Sequence, residues 1–315
     1  MMLKKALQIL LIALPLSFAE LWLLDFGVRL PTVEVVAQTV DERKLEADRL
    51  FEEGKKQFDF GQFREALQLW QQALVIYREI GYRQGEADSL NNLGNAYGNL
   101  AEYERAIEFH EQSLAIFREI GDRQGVAKSL GNLGLTYGNL AEYEQAIEFH
   151  EQSLAIFRDI GYRRGEAYSL VGLGRVYLHL AEYELAIDFS EQSLDISREI
   201  GYHQGEADSL KNLGRVYLRL TEYELAIDFY QQSLAIFRKI GDRQGEAISL
   251  VSLGTTYDSL AEYERAIDFY QQSLAIFRKI GDRQGEAISL FNLGNVYGSL
   301  AEHEQAIDFY EQSLA

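Results

Sequence analysis

The chain contains no cysteine. Disulfides, thiolate metal sites and a cysteine nucleophile are thereby excluded within it, although a cysteine-free protein tolerates either redox compartment. Proline is nearly as scarce, since Pro15 and Pro31 are the only two and both fall in the first 31 residues. Everything beyond them can run as helix, because nothing there removes a backbone donor or clashes with the preceding turn. Positive charge is short as well: 30 Lys and Arg face 49 Asp and Glu, for a net charge of −19. Such a surface repels phosphate backbones, so nucleic acid is not an expected partner. A phosphate loop, a metal-ligand spacing and a nucleophile elbow are also missing, which points to no cofactor and to no enzyme.

The first residues read differently from the rest. Lys4 and Lys5 precede an apolar run from Ala6 to Ala19, and Ser17-Phe18-Ala19 has the small residues a signal peptidase requires. Val35-Val36-Ala37 is a second candidate cleavage site. The run suits a signal segment better than a full span, because extending it to Val28 would bury Glu20 and Asp25 in lipid. Residues 1–39 are therefore expected to be a signal peptide or an uncleaved membrane anchor, or else an apolar helix packed on the first repeat. The expected location is periplasmic, extracellular or membrane-anchored rather than cytoplasmic.

The remainder repeats. QQSLAIFRKIGDRQGEAISL occurs unchanged at Gln231–Leu250 and at Gln271–Leu290. On the same forty-residue period Leu93, Leu133, Leu173, Leu213, Leu253 and Leu293 fall in register, each followed by glycine and, three residues further, by tyrosine. A period in this range means a solenoid or an array. Within one period, Leu90, Leu93, Tyr97 and Leu100 mark the apolar face of a first helix, and the recurring Gly94 suggests close approach of a partner. Tyr103, Ala106, Ile107, His110, Leu114 and Phe117 form a broader stripe on a second helix, with Phe109 and Ile116 facing elsewhere, so this helix packs on more than one side. Gly121 suits a left-handed C-terminal cap, and Asp122, Asp242 and Asp282 are placed to cap the helix that follows. Tyr82, Tyr162 and Tyr202 hold that position without a capping oxygen, which predicts weaker joints by about 1 kcal/mol each.

Leu93-Gly94, Tyr97, Tyr103, Ala106 and Leu114 resemble the consensus of the tetratricopeptide repeat, and Gly54, Gly61, Phe63, Ala66 and Ala73 resemble a divergent first copy. The longer unit, with Gly-Asp-Arg-Gln-Gly-Glu-Ala leading into Asn-Leu-Gly, is similar to the arrays of kinesin light chains and of animal spindle-orientation adaptors. It is similar above all to bacterial, especially cyanobacterial, arrays that often precede a CHAT peptidase-like domain. The resemblance implies an all-α, right-handed α-solenoid of about seven helical hairpins over residues 40–315. The expected repeats are about 44–80, 81–120, 121–160, 161–200, 201–240, 241–280 and an incomplete 281–315.

What varies between copies is more informative than what recurs. At 100° per residue, Asp88, Asn92, Asn95 and Asn99 lie in a stripe opposite the apolar face. In tetratricopeptide arrays that face lines the concave groove, so the resemblance makes these positions ligand contacts. Along the array the stripe carries Asn132, then Tyr168, Arg175 and His179, then Lys211, Asn212, Arg215 and Arg219, and finally Ile248, Ile288, Phe291, Asn292 and Asn295. The expected partner is a peptide or protein with an acidic group over Arg175, Arg215 and Arg219 and an apolar side chain near Ile248, Ile288 and Phe291. The bland reading of the same residues is a solvated face, with Lys211 paired to Asp208 and Arg219 at a helix C-terminus. In the similar eukaryotic adaptors the asparagine of Asn-Leu-Gly binds the main chain of a docked peptide. Gly172 and Ser252 depart from that pattern, and bonding to neighbouring helices is the alternative use of the amides. His110 and His150 occupy a position that is tyrosine in other copies, which marks packing rather than imidazole chemistry.

The expected function is a protein-interaction scaffold. Two alternatives stand beside it: a regulatory arm of a longer CHAT-type peptidase-like protein, and self-association through an end that stops at Ala315 without a polar capping helix.

Overall fold

The computed structural model describes residues 33–314, which are helical throughout apart from their turns, with no strand among the described residues. Fourteen helices follow one another: α1 (Val33–Asp59), α2 (Phe63–Ile80), α3 (Arg83–Asn99), α4 (Tyr103–Ile120), α5 (Arg123–Asn139), α6 (Tyr143–Asp159), α7 (Arg163–His179), α8 (Tyr183–Glu199), α9 (His203–Arg219), α10 (Tyr223–Ile240), α11 (Arg243–Ser259), α12 (Tyr263–Ile280), α13 (Arg283–Ser299) and α14 (His303–Ser313). The expected signal or anchor run, Ala6 to Ala19, lies outside the described residues. Helix α1 begins at Val33, ahead of the expected boundary at residue 39, and no helix among the described residues is long and apolar enough to cross a membrane. The chain divides into two units after Glu46, and the array belongs to the second, from Ala47 onward.

The hairpins close for the reasons the repeat suggests. Leu90, Leu93, Leu133, Leu173 and Leu253 are fully buried between helices. The tyrosine three residues after each first-helix Leu-Gly stacks on a second-helix phenylalanine, Tyr97 on Phe109 with centroids 5.3 Å apart and planes 8° from parallel. The same stack recurs at Tyr137–Phe149, Tyr177–Phe189, Tyr217–Phe229, Tyr257–Phe269 and Tyr297–Phe309. Phe109 thus serves its own hairpin, and Ile116 is buried as well, so the second helix is packed on both flanks. The glycine after the core leucine faces a ring of the second helix in every copy but one, where Gly174 faces Ser190: a Cβ on Gly94 would lie 2.5 Å from the His110 ring, and one on Gly214 2.7 Å from Tyr230.

Neighbouring hairpins are joined by buried serines and by ion pairs. Ser113 of α4 donates to the Ala87 carbonyl of α3 at 2.9 Å and lies 3.2 Å from Ser129 of α5, tying three helices with one hydroxyl. Glu86 sits between Arg78, at 2.8 Å, and Arg83; Glu166 and Glu246 repeat the arrangement. Asp122, Asp242 and Asp282 accept from the backbone N–H groups of Gly125, Gly245 and Gly285 at 3.0, 2.8 and 2.9 Å, as expected of N-caps. Tyr82, Tyr162 and Tyr202 make no such bond. Their rings add contacts an aspartate cannot: Tyr82 on Tyr77, Tyr162 on Phe157, and Tyr202 beneath the Arg164 guanidinium.

From α3 on, the first helices of successive hairpins touch one another, most extensively α7 and α9, whereas the second helices make no comparable contact. The array therefore curves with its first helices on the inner side, and the polar stripe of those helices lines the hollow.

Candidate functional site

Two cavities open on the inner face. The larger, about 790 Å³, lies over α7, α9 and α11, and the smaller, about 600 Å³, over α3, α5 and the start of α7. Leu135, Tyr168, Arg175 and Tyr202 line both. Tyr168, Arg175, Lys211, Asn212, Arg215, Arg219 and Ile248 of the expected stripe come together in the larger cavity, and Asn95, Asn99 and Asn132 in the smaller. Asn92, His179, Ile288, Phe291, Asn292 and Asn295 line neither. His179 stacks on Tyr143 with centroids 5.7 Å apart, and Phe291 lies against Tyr310, whose hydroxyl donates to Asn295 Oδ1 at 2.9 Å.

The asparagines divide between their two possible uses. Asn132 donates to Asn91 Oδ1 at 3.1 Å and accepts from the Tyr168 hydroxyl at 3.0 Å, so both ends of its amide are engaged inside the array. Asn212 is buried and donates to the Val171 carbonyl of the preceding first helix at 3.1 Å. A continuous ladder of free amides is therefore absent. Two of its members hold neighbouring first helices together, and Gly172 and Ser252 interrupt the series.

The cations behave otherwise. Lys211 is paired with Asp208 at 2.7 Å, as the bland reading has it. Arg175, Arg215 and Arg219 form no ion pair among the described residues. Burial depresses the pKa of the Arg175 and Arg215 guanidinium groups, and in each case a neighbouring arginine adds to the effect, Arg215 on Arg175 and Arg219 on Arg215. Nη2 of Arg175 is buried with no hydrogen-bond partner. These groups hold positive charge in a partly desolvated hollow whose one lining carboxylate, Asp208, is paired with Lys211.

His150, Tyr202, Val171, Ser252 and Tyr230 also line the larger cavity and were not read from the sequence as groove contacts. His150 is pressed between two glycines, since a Cβ on Gly172 would stand 2.3 Å from its ring and one on Gly134 2.8 Å. Neither ring nitrogen has a partner, and burial, with Arg175 nearby, drives its pKa down to about 3. It forms a neutral floor. The signal available in the sequence was the coincidence of Gly172, where other copies carry Asn or Ser, with histidine at the ring position one hairpin earlier. No group of His, Asp and Glu among the described residues is placed to hold a metal ion.

Stacked helical hairpins with a groove along their first helices define an α-solenoid. A family model described as tetratricopeptide repeat matches residues 57–119, 87–159, 163–239, 206–279 and 245–315, and the chain belongs to that family. Among solved structures it is similar to the Rap conjugation gene regulator of plasmid pLS20 in complex with the Phr* peptide, with a TM-score of 0.72 at 14% identity over 91% of this chain and 78% of that one. The apo form of the quorum sensor NprR from B. thuringiensis gives 0.64 at 16% identity over 90% and 82%, and apo RapI gives 0.63 at 17% over 85% and 96%. At these identities the likeness concerns the fold. No curated protein matches the chain.

Proposed function

We propose that the chain is a protein-interaction scaffold that binds an extended peptide or short helix of a partner protein along its first helices, without catalysis of its own. The observation that carries this is the set of unpaired arginines, Arg175, Arg215 and Arg219, sharing one hollow with the exposed Ile248 in a protein of net charge −19. Arginine bonded to a carboxylate orients a ligand, and burial of an apolar side chain adds affinity. Support also comes from the fold of the Rap regulator, which was solved with a peptide.

Panning a phage library of random twelve-residue peptides against the full chain, beside an R175Q/R215Q/R219Q variant, tests the proposal. Enrichment on the native chain, lost on the variant at unchanged far-ultraviolet circular dichroism, is the expected result. Peptides that bind both equally would remove the groove from the function.

A further inference from the structure

We infer that the two cavities form one channel for an acidic peptide that lies across Arg175 with its interior, so that acidic side chains, not a chain terminus, meet the cations; this rests on the peptide-groove reading above. The two hollows share Arg175 and Tyr202 in their common wall. A ligand that reaches Arg175 from either side therefore finds further groove beyond it. A peptide ending there would leave one hollow unused.

The charges along this channel are one-sided. Beyond Arg175, Arg215 and Arg219, the smaller cavity adds Lys128 and Arg164, and neither is in an ion pair among the described residues. Arg164 lies over Tyr202, its guanidinium carbon 4.4 Å from the ring centroid, which holds the cation ready without neutralising it. Of all residues lining the two cavities, Asp208 is the single carboxylate, and it is occupied by Lys211 at 2.7 Å and by Gln204 at 3.3 Å. In a chain with 49 acidic residues, a lining of five unpaired cations and one committed acid is a surface that favours carboxylates. Chance pairing would supply partners, as it does at Arg105 with Glu102 and at Arg265 with Glu262 on second helices.

The buried Nη2 of Arg175 says where the strongest contact falls. A guanidinium nitrogen shut from water with no acceptor leaves part of its hydrogen-bonding capacity unmet, and an incoming carboxylate restores a counter-charge beside it. Arg164 and Lys128 are exposed and screened, so they add less and in a salt-dependent way.

The test uses a peptide recovered by the panning, labelled with fluorescein and measured by polarisation against the full chain. Replacing its internal Asp or Glu by Asn or Gln is expected to raise Kd by at least about tenfold, while amidating its C-terminus leaves Kd within about twofold. R164Q and K128Q are expected to raise Kd about threefold each, and less at high salt. A peptide bound in the groove whose affinity survives internal amide replacement, or vanishes on C-terminal amidation, overturns the inference but leaves the groove reading intact. Displacement of the peptide by an equal concentration of a twelve-nucleotide single-stranded DNA also overturns it and reassigns the channel to a phosphate backbone. If the panning enriches nothing, the groove reading falls and this inference falls with it.

Discussion

Within each hairpin the turn places one residue in the left-handed region, and the array is not consistent in what it puts there. The first hairpin uses Gly61 at φ 76°, the others Ala101, Ala141, Ala181, Ala261 and Ala301, and one uses Thr221 at φ 61°. Left-handed geometry crowds a Cβ against the carbonyl, at about 1–2 kcal/mol, and a β-branched side chain is crowded most. T221G should therefore raise stability by about 1 kcal/mol in urea denaturation, part of the relief being offset by a more flexible unfolded chain. Buried imidazoles make a second prediction at this scale. His110 and His150 are held neutral by burial, with folded pKa values of about 3 against 6.5 in the open chain. Between those values the unfolded state binds the extra protons, so each histidine lowers stability as pH falls from about 6.5, by up to about 1.4 kcal/mol per pH unit. H110Y, which installs the residue that faces glycine as Tyr230 and Tyr270 do, should flatten that loss between pH 7 and pH 5.

At the scale of the helix pair, the contact between a glycine and a ring governs how closely the two helices approach. A Cβ on Gly214 would meet the Tyr230 ring at 2.7 Å, a rigid group with nowhere to go. At Gly174 the nearest atom is the small Ser190 hydroxyl at 2.6 Å, which can turn aside, and the next is the Ala186 carbonyl at 3.3 Å, tight but short of a clash. Alanine improves helix propensity by about 1 kcal/mol at either site, while overpacking costs about 1–3 kcal/mol where nothing can yield. G214A is accordingly expected to lower the melting temperature, and G174A to leave it nearly unchanged, which parallel thermal scans would separate. The tyrosine joints belong to the same scale. What Tyr82, Tyr162 and Tyr202 lack in capping they recover in part through ring contacts, and Tyr202 turns that packing towards the groove by carrying Arg164.

Over the whole molecule, stability and the proposed binding pull in opposite directions at the centre of the groove. Solenoid stability is a sum of repeat and interface contributions, so a change in one repeat stays local in origin but is felt by the array as a whole. Arg175 keeps a positive charge in a partly desolvated hollow without an ion pair of its own, and the same position is Leu135 in the preceding repeat. R175L should therefore stabilise the ligand-free protein by about 1–2 kcal/mol, seen as a higher melting temperature, while abolishing capture of acidic peptides. A variant that is less stable and still binds would contradict both halves of that expectation.

The repeat period, the two helices per unit, the aspartate caps and the burial of Leu93 and its counterparts were all legible in the sequence. Each follows from local chemistry, a capping oxygen three residues from its N–H in three copies and an apolar face at helical spacing in six. The stripe of variable residues was legible too, because a helix turns by a known angle. Which members of that stripe meet was decided only by the stacking of the hairpins. Asn132 and Asn212 look alike in sequence to Asn92 and Asn292, yet the close approach of neighbouring first helices draws the first two into bonds with Asn91 and Val171. His150 enters the cavity floor because Gly172, on the next hairpin, leaves room for its ring. Arg164 joins the channel through a tyrosine thirty-eight residues away. Sequence alone determined the helices, since helix formation depends on neighbours within a few residues. The tertiary structure alone decided the site, since its residues come from successive helices about forty positions apart and meet only when those helices pack.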